Sequence, residues 1–401
     1  MKIGLVTGEY PPLEGGVGAF TQELGRALAD LGHEVHIITD RRARPEGRER
    51  RWRDLLDPVD LGFARLHPVV KKWRWSALWR IADLTLRHDL DLINLQYQAA
   101  AYDMRSPAIN WLPWRLKGMA KTAVTFHDLR VPYLFPKAGR LRETAVAFMA
   151  RQAHGVIVTN RADYDALTAR VSTPARQIPI GSNITAYTPH AREIQEARVL
   201  LGLKPSDRLL GYFGFLNESK GADTLLYALA GLEASCHLLF IGGQTGSSDP
   251  NNNQAFLAQL QALISTLGLT ERVHWTGFQP DARVSTFLHA ADLMVMPYRD
   301  GVSLRRGTLM AVLAHGRPLL TTTPTTPTPE LRHGENVWFI PPDDVAALQT
   351  AAHSLLADPA RRARLGQNAA RLADCFTWDK IAGETAVFFA GLLGETAVSP
   401  D

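Results

Sequence analysis

The sequence contains little cysteine and no apolar run long enough to cross a membrane. Cys236 and Cys375 are the only cysteines among 401 residues, too few for a disulfide framework or a cysteine-ligated zinc site. Both have apolar neighbours and are interpreted as small core residues. No stretch of about 18 uncharged apolar residues occurs, and the first apolar run is too short for a secretory signal. We therefore expect a cytoplasmic protein.

Positive charge is concentrated in the first half of the chain. Residues 1–200 contain 29 Lys and Arg against 21 Asp and Glu, whereas the remainder contains 15 against 19. The excess lies in residues 41–53 and 71–80. Such patches attract phosphates on nucleic acid, acidic lipid or a phosphorylated substrate, although a solvated Arg-rich loop without a dedicated partner is the simpler interpretation. Because no nucleic-acid-binding motif accompanies the charge, we expect no nucleic-acid partner.

Short β-branched runs alternate with helical segments along the chain, which is typical of parallel α/β domains. The apolar runs are continuous, so the strands are expected to be covered on both faces. A polar, turn-rich stretch at 181–205 separates two such series, and the sequence therefore predicts two doubly wound units. Strands are predicted at 2–7, 34–38, 92–96, 122–126, 155–159, 209–213, 237–241, 272–275, 293–296 and 318–321, helices at 17–31, 220–232, 252–267 and 379–394, and a loop at 321–330.

Three glycines, Gly15, Gly16 and Gly18, lie between the first predicted strand and helix. Glycines allow a ligand to approach the backbone, and a helix N-terminus offers free N–H groups to an anion. The motif is not GxGxxG. No acid lies at a convincing ribose-binding spacing at the end of the second strand, where Asp40 is the nearest, so a dinucleotide site is not favoured. By itself, the loop is equally well interpreted as a tight turn.

His127 directly follows the strand TAVTF and precedes Asp128. The carboxyl end of a parallel strand is where α/β proteins bind ligands. An isolated histidine is more often structural, but this one is predicted at the same sheet edge as the glycine loop. We therefore interpret it as a functional residue.

Lys220 follows the first strand of the second series, in the loop FGFLNESKG that also contains Asn217. A lysine at the start of a helix opposes the helix dipole. That cost is understandable if a phosphate binds nearby, and the alternative is a solvated loop lysine.

The segment Asp300–Leu309, DGVSLRRGTL, follows the strand of DLMVMPY and opens an apolar helix. Ser303, Arg305, Arg306 and the backbone near Gly307 together offer a hydroxyl, guanidinium groups and N–H groups to an anion. An ordinary helix start with exposed arginines is the alternative.

Several ordered motifs together resemble those of GT-B-fold glycosyltransferases of the family 4 type. They are the opening KIGLVTGEYPPLEGGVGAF, TFHD, GFLNESKG, VHWTGF, ADLMVMPY, AHGRPLLTT with ELRHGEN, and FTWDKIA. The resemblance implies two Rossmann-like domains with the active site in the cleft between them. It places an acceptor-binding domain at 1–190, a nucleotide-sugar-binding domain at 191–376, and a helix crossing back to the first domain at 377–401.

The same resemblance implies transfer from a nucleotide-diphosphate sugar to a sugar or lipid-linked acceptor, with retention of configuration and without a catalytic metal or cofactor. His127 would contact the transferred sugar, and Lys220 would bind the diphosphate. From its position in the segment 300–309, Arg305 is predicted as a further catalytic residue there. The predicted donor-binding residues are Gly15, Gly16, Gly18, Asn217, Gly277, Phe278, Ser303, Leu304, Arg306 and Gly307, with the backbone at Gly277 and Phe278 meeting the base.

Two departures from the family pattern concern this site. An Arg is common where this chain has Phe215, and two Glu are common where it has Ser303 and Ala311. We hypothesise that Arg305 and Arg306 replace the lost cation at the diphosphate. A non-catalytic nucleotide-sugar binder or partner subunit remains the alternative.

The segment 71–88 is basic and contains tryptophans, a composition suited to acidic lipid, so peripheral contact with an anionic membrane is considered. Helical spacing, however, predicts that one stripe of it packs under the sheet and that Trp73 and the cations stay outside. The predicted buried stripe is Trp75, Leu78, Trp79, Ala82 and Leu86.

Overall fold

A computed structural model describes residues 1–13, 15–44, 57–103, 106–129, 139–243 and 250–394. The chain divides into two units, one formed by Met1–Ile180 with Trp378–Asp401 and the other by Gly181–Thr377. The division after Ile180 precedes the predicted boundary at residue 190. The intervening segment belongs to the second unit because Thr185 N–H donates to Asp281 Oδ2 at 3.4 Å and Tyr187 N–H to Ser285 Oγ at 3.4 Å.

The first unit is built on an eight-stranded sheet in the order β3-β4-β2-β1-β5-β6-β7-β8, in which β3 alone is antiparallel to its neighbour. Its strands are β1 Lys2–Thr7, β2 Glu34–Asp40, β3 Val59–Asp60, β4 Arg65–Val70, β5 Leu92–Tyr97, β6 Lys121–Phe126, β7 Gly155–Val158 and β8 Ala175–Gln177. Its helices are α1 Gly16–Asp30, α2 Trp75–Arg87, α3 Leu112–Arg115, α4 Gly139–Gln152 and α5 Arg161–Thr168. The central parallel strands β1, β5 and β6 are almost wholly buried, as their continuous apolar runs predict.

The second unit repeats this plan with a six-stranded parallel sheet in the order β11-β10-β9-β12-β13-β14. Its strands are β9 Arg208–Phe213, β10 Cys236–Ile241, β11 Val273–Trp275, β12 Leu293–Met296, β13 Leu319–Thr322 and β14 Trp338–Ile340. Its helices are α6 Ala191–Leu200, α7 Ala222–Ala230, α8 Pro250–Thr266, α9 Asp281–Ala290, α10 Gly307–Ala314, α11 Val345–Ala357 and α12 Pro359–Ala373. Cys236 is buried here, as predicted, whereas Cys375 is exposed, and the prediction of a core position for it is wrong.

The last helix, α13 Trp378–Leu393, belongs to the first unit and packs on α1. Trp378, at its start, lies 5.2 Å from the ring of Phe20 in an edge-to-face arrangement. The predicted fold, two Rossmann-like sheets with a C-terminal helix returning to the first, is therefore confirmed. Among the described residues, no helix is both long and apolar enough to span a bilayer.

The prediction of a loop at 321–330 is wrong for its first two residues. Thr321 and Thr322 belong to β13 and are fully buried. Their hydroxyls donate to the carbonyl oxygens of Met296 and Tyr298, each at 2.7 Å. These hydrogen bonds satisfy the two polar side chains inside the sheet, a condition that the sequence of the segment does not show.

The face that α2 buries also differs from the prediction. Trp73 is buried against the edge of Tyr102, with ring centroids 4.8 Å apart. Trp75, Trp79 and Leu86 are instead 52%, 65% and 61% exposed. Helical spacing permits more than one apolar arc on this helix, and only the packing selects the one that contains Leu78 and Ala82.

Gly221, between β9 and α7, has φ of +67°, and a Cβ there would collide with the carbonyl oxygen of Pro297. Gly202, at the end of α6, has a similar φ of +71° and open space around it. Gly202→Ala should therefore lower the free energy of unfolding by only about 1 kcal/mol. Gly221→Ala should lower it by about 3 kcal/mol or more, since the loop must also move. Urea unfolding of both variants measures the difference, and equal losses would contradict the predicted collision.

Candidate functional site

The candidate site of the second unit lies at the carboxyl edge of its sheet. β10, β9 and β12 are neighbours there, so the segments that follow these strands emerge side by side. They carry Lys220 after β9 and the stretch Tyr298–Gly307 after β12. This edge is where doubly wound sheets bind ligands.

Two of the predicted cations meet on one aromatic ring. Tyr298 is fully buried. The Nζ of Lys220 is 5.2 Å from the centroid of its ring, and the guanidinium carbon of Arg306 is 3.9 Å from the same centroid. The ring's negative face attracts both cations. The structure thus brings Lys220 and Arg306 together, although they are far apart in the sequence.

Asp300 offsets part of this positive charge by forming an ion pair with Arg306. The side chain of Arg306 is only 15% exposed, and its Nε is buried with no hydrogen-bond partner among the described residues. A buried guanidinium of this kind retains donor capacity that a ligand can use.

Lys220 is held where its charge is costly. Burial, with a further contribution from Arg306, lowers the pKa of Lys220 to about 7, and Asp300 only partly opposes the shift. Removing a lysine from water and placing it beside another cation both disfavour its charged form. An anionic ligand at this position would favour the charged form of Lys220 and so raise its pKa.

Arg299, which sequence reasoning did not single out, fastens the Lys220 loop to the rest of the unit. Its backbone N–H donates to Ser219 O at 3.0 Å. Its guanidinium forms ion pairs with Asp223 at 2.5 Å and Asp343 at 2.8 Å. Arg299 directly follows the motif DLMVMPY, and this position could have identified it. The segment predicted to bind an anion began one residue later, at Asp300.

The segment Ser303–Gly307 lies directly before and at the start of α10. The hydroxyl oxygen of Ser303 accepts from Arg305 Nε at 3.3 Å and from Arg305 N–H at 3.4 Å. The side chain of Leu304 is buried, so only its backbone is available to a ligand. Gly307 is the first residue of α10, where a Cβ would lie 3.2 Å from Asn183 Oδ1. The contact with Tyr298 is made by Arg306; Arg305 contacts Ser303.

The positions that lack the family glutamates differ in their surroundings. Ala311 is fully buried within α10, so nothing in its side chain could bind a ribose. Ser303 retains a hydroxyl at the sheet edge, already engaged by Arg305. Neither side chain therefore offers a carboxylate to a ligand.

Aromatic side chains lie at the same edge as the two cations. Phe278, after β11, is 75% exposed, and Phe215, after β9, is 36% exposed. Gly277 pairs with Gly242 in an isolated bridge that joins the ends of β11 and β10. Asn217 accepts a hydrogen bond from Ser219 Oγ at 2.8 Å. An exposed aromatic ring of this kind suits stacking on a planar base.

In the first unit, His127 ends a chain of buried polar groups at the tip of β6. Its Nε2 lies 2.9 Å from Gln96 Oε1. The amide of Gln96 donates to Asn94 Oδ1, and Asn94 in turn donates to Thr125 Oγ1 at 3.0 Å. Because the amide nitrogen of Gln96 is used in this way, its oxygen must accept, and the proton of His127 lies on Nε2.

His127 is consequently a neutral acceptor. Burial lowers its pKa to about 3, and its ring packs edge-on against Phe20 with centroids 4.6 Å apart. With the proton on Nε2, the lone pair of Nδ1 can accept a hydrogen bond from a hydroxyl group. The sequence identified His127, but only the structure reveals its tautomer and the role of Gln96.

The glycine loop of the first unit is organised by Glu9, which sequence reasoning missed. Glu9 Oε1 accepts from Val17 N–H at 3.1 Å, at the start of α1, and burial raises the pKa of this carboxyl. A Cβ at Gly15 would collide with the carboxylate, and one at Gly18 would lie 2.9 Å from Glu9 O. Gly16 has open space around it. Glu9 thus occupies one N–H group that had been expected to meet a phosphate.

Two parallel-sheet α/β units in this order, with the C-terminal helix in the first, define a GT-B-fold protein. Solved structures agree. Sucrose-phosphate synthase from Thermosynechococcus elongatus superposes with a TM-score of 0.77 at 22% identity, covering 98% of this chain and 99% of that one. Anabaena HepE in complex with UDP gives 0.74 at 18% identity, covering 98% and 100%. At these identities the likeness concerns the fold alone.

Family models then identify the chain more narrowly. "Glycosyl transferase 4-like domain" matches residues 15–181, and "Glycosyl transferases group 1" matches residues 193–372. The chain belongs to the GT-B glycosyltransferases of the family 4 type, as the sequence motifs predicted.

Curated relatives share this family. D-inositol 3-phosphate glycosyltransferase of Rhodococcus opacus is 31% identical over 211 residues, which cover 50% of this chain and 44% of that protein, less than half its length. The enzyme of the same name from Corynebacterium efficiens is 23% identical over 97% of this chain and 95% of its own.

Proposed function

We propose that this protein transfers a glycosyl group from a UDP-sugar to an acceptor hydroxyl, with retention of configuration. The observation that carries the proposal is the pair of cations, Lys220 and Arg306, on the ring of Tyr298 at the carboxyl edge of the second sheet. Two cations at such an edge suit a diphosphate. The choice of UDP is supported by structural neighbours that were solved with UDP or UDP-glucose.

In the proposed reaction, the bond between the sugar's anomeric carbon and the phosphate oxygen breaks, and its electron pair goes to the diphosphate. The acceptor oxygen bonds to that carbon on the same face and passes its proton to the departing phosphate oxygen. Lys220 and Arg306 stabilise the negative charge that develops on the leaving group, which is commonly the largest catalytic contribution. The route needs no enzymic nucleophile.

His127 would accept a hydrogen bond from a hydroxyl of the transferred sugar through Nδ1. Its neutrality suits this role, because an imidazolium would repel the positive charge that develops at the anomeric carbon. Gln96 fixes the tautomer by accepting the Nε2 proton. His127 is thus proposed as a catalytic residue and Gln96 as a positioning residue.

We also propose that transfer needs no catalytic metal. Within the described part of the chain, the group of His, Cys, Asp and Glu side chains spaced to hold an ion is His36, His67 and His88. These residues lie near the amino ends of β2 and β4 and the end of α2, whereas His127 follows the carboxyl end of β6. The charge neutralisation that a cation supplies in other transferases would here come from Lys220 and Arg306.

A non-catalytic nucleotide-sugar binder is the second candidate. It is favoured by one observation, the replacement of the family glutamates by Ser303 and by Ala311, whose side chain is buried and apolar. Such a protein would bind the donor through the same cations and release nothing. Donor hydrolysis therefore separates the two functions.

We predict that the purified protein releases UDP from at least one UDP-sugar in a panel, through slow hydrolysis or with acceptor. Arg305→Ala and Arg306→Ala should each lower donor affinity or turnover by about tenfold, and Lys220→Ala should lower turnover by about a hundredfold. Arg192→Ala is a matched control, because this arginine is exposed on α6 and paired with Glu196. Isothermal titration and a coupled UDP assay measure both quantities.

Donor binding without UDP release under any condition would favour the binder. Unchanged affinity and turnover in both arginine variants would eliminate the replacement of the lost cation by Arg305 and Arg306.

UDP binding should weaken as the pH rises. Without a ligand, the pKa of Lys220 is about 7. A bound diphosphate raises this pKa, so above pH 7 the binding of UDP is accompanied by the uptake of a proton. The affinity should be constant below pH 7 and fall by up to about tenfold per pH unit above it. Lys220→Arg, which stays charged, should flatten the profile. Titrations in buffers of different ionisation enthalpy measure the proton uptake, and a flat wild-type profile from about pH 7 to about pH 9 would contradict the assignment.

We propose further that the acceptor is carried by an anionic membrane. Trp75 and Trp79 on α2 are joined by Trp111 and Trp114, which are 36% and 51% exposed. The rings of Trp75 and Trp111 are 6.0 Å apart, those of Trp111 and Trp114 are 5.8 Å apart, and Arg115 stacks on Trp79 at 4.2 Å. We call Trp75, Trp79, Trp111 and Trp114 the tryptophan patch.

Exposed cations accompany the tryptophan patch along the chain. Lys71, Lys72, Arg80 and Lys117 are exposed on or beside the elements that carry it, and no ion pair within the described ranges involves them. Exposed indole rings together with cations suit the interface of an anionic bilayer, where tryptophan partitions and phosphates attract lysine and arginine. We therefore propose the tryptophan patch, rather than the buried Trp73, as the membrane contact.

The protein should co-sediment with vesicles of equimolar phosphatidylcholine and phosphatidylglycerol. The double variant Trp75→Ala, Trp79→Ala should lose most of this binding, and Lys71→Gln, Lys72→Gln should weaken it by about fivefold per charge. Tyr227→Ala, which removes an exposed aromatic ring from the other unit, should have no effect. Equal binding to neutral vesicles, or no binding, would favour a water-soluble phosphorylated acceptor.

A further inference from the structure

Three histidines that the proposed reaction does not use converge inside the first unit. His36 lies on β2, His67 on β4, and His88 directly follows α2. One ring nitrogen from each lies within 4.8 Å of the others. The centroid distances are 5.2 Å for His36 and His67, 4.6 Å for His36 and His88, and 4.8 Å for His67 and His88.

The sheet register brings the first two together. His36 is paired with Arg65, and Ile38 with His67, so both histidines lie on the face of the sheet that Ile38 presents to α2. His36 and His67 are fully buried, while His88 is half-buried at the end of the helix. The cluster thus joins two strands to the C-terminus of α2.

The distances suit a tetrahedral ion. His36 Nδ1 and His67 Nε2 are 3.0 Å apart, whereas nitrogens that share a tetrahedral zinc ion at about 2.0 Å are about 3.3 Å apart. A small increase in the distance between these two nitrogens would admit the ion. Because His88 is the least buried of the three, its ring can turn to supply the third nitrogen.

A carboxylate orients the first ligand. His36 Nε2 lies 3.0 Å from Glu34 Oε1, so the proton of His36 lies on Nε2 and the lone pair of Nδ1 faces His67. A carboxylate that holds the outer nitrogen of a histidine is the usual support for a metal ligand. His67 Nδ1, in contrast, is buried with no hydrogen-bond partner in the described ranges. The internal hydrogen bonds therefore do not satisfy the whole cluster.

Burial disfavours the charged form of all three rings. Burial lowers the pKa of His67 to about 3, with further contributions from His36 and His88. It also lowers the pKa values of His36 and His88. Neutral imidazoles are typical ligands of zinc and similar divalent transition metals.

We propose that His36, His67 and His88 form a binding site for a divalent transition-metal ion of the zinc type, with water as the fourth ligand. The site lies where β2 begins and α2 ends, whereas His127 follows the far end of its strand. The ion would therefore be structural, fastening the end of α2, the helix that carries Trp75 and Trp79, to the sheet. This proposal is independent of the proposed transferase activity.

The test uses the full chain, stripped of metal by a chelator and dialysed. Titration with Zn²⁺ against a chromogenic competitor should show about one tight equivalent per chain. Co²⁺ should give the visible bands of a tetrahedral nitrogen site, and Zn²⁺ should raise Tm because it binds only the folded state. His88→Ala and His88→Gln should each weaken Zn²⁺ binding by about a hundredfold or more.

His353→Ala is the matched control, since it removes an exposed histidine from the other unit and should leave the titration unchanged. Because His88 is half-buried, its variants are expected to fold. The Co²⁺ spectrum of the wild-type protein is a readout that needs no variant. A wild-type protein with no tight equivalent, or His88 variants that bind Zn²⁺ as tightly as the wild type, would overturn the site. UDP affinity, measured in parallel, keeps this result separate from the donor site.

Discussion

The contact on which the donor half of this protein depends is the one between Tyr298 and two cations. Lys220 and Arg306 repel each other, yet both are held at one buried ring, with Asp300 as a partial counter-charge. The fold withstands this repulsion because Arg299 ties the Lys220 loop to Asp223 and Asp343. Cations held together with little negative charge around them would suit the proposed diphosphate, since little rearrangement would be needed when it binds.

Burial disfavours a cation in the first unit as well. His127 is neutral because burial disfavours its cation, and its tautomer is fixed by the amides of Gln96 and Asn94. At the start of α1, Glu9 already satisfies a helix N–H group. The second unit therefore presents positive charge that Asp300 compensates only in part, whereas the first presents a neutral acceptor.

The sequence predicted most of the elements that position the site, and it failed where packing decides between similar patterns. Strands such as β1 and β12 were predicted within a residue or two because long apolar runs leave few alternatives. β4 was missed because its sequence, RLHPVV, begins with a charge and contains a proline. On α2, the arrangement of apolar residues permits several arcs, and the wrong one was chosen, which placed Trp73 outside and Trp75 and Trp79 inside.

By itself, the sequence determined the family and the two sheets, because these follow from local runs and ordered motifs, and it predicted His127, Lys220 and Arg306 as candidate site residues. Only the tertiary structure decided which cation meets Lys220, which tautomer His127 adopts, and that His36, His67 and His88 converge. The reason is physical. Charge repulsion, burial and hydrogen-bond partners are properties of groups brought together by β-strand order and register, and residues far apart in the chain do not reveal them in advance.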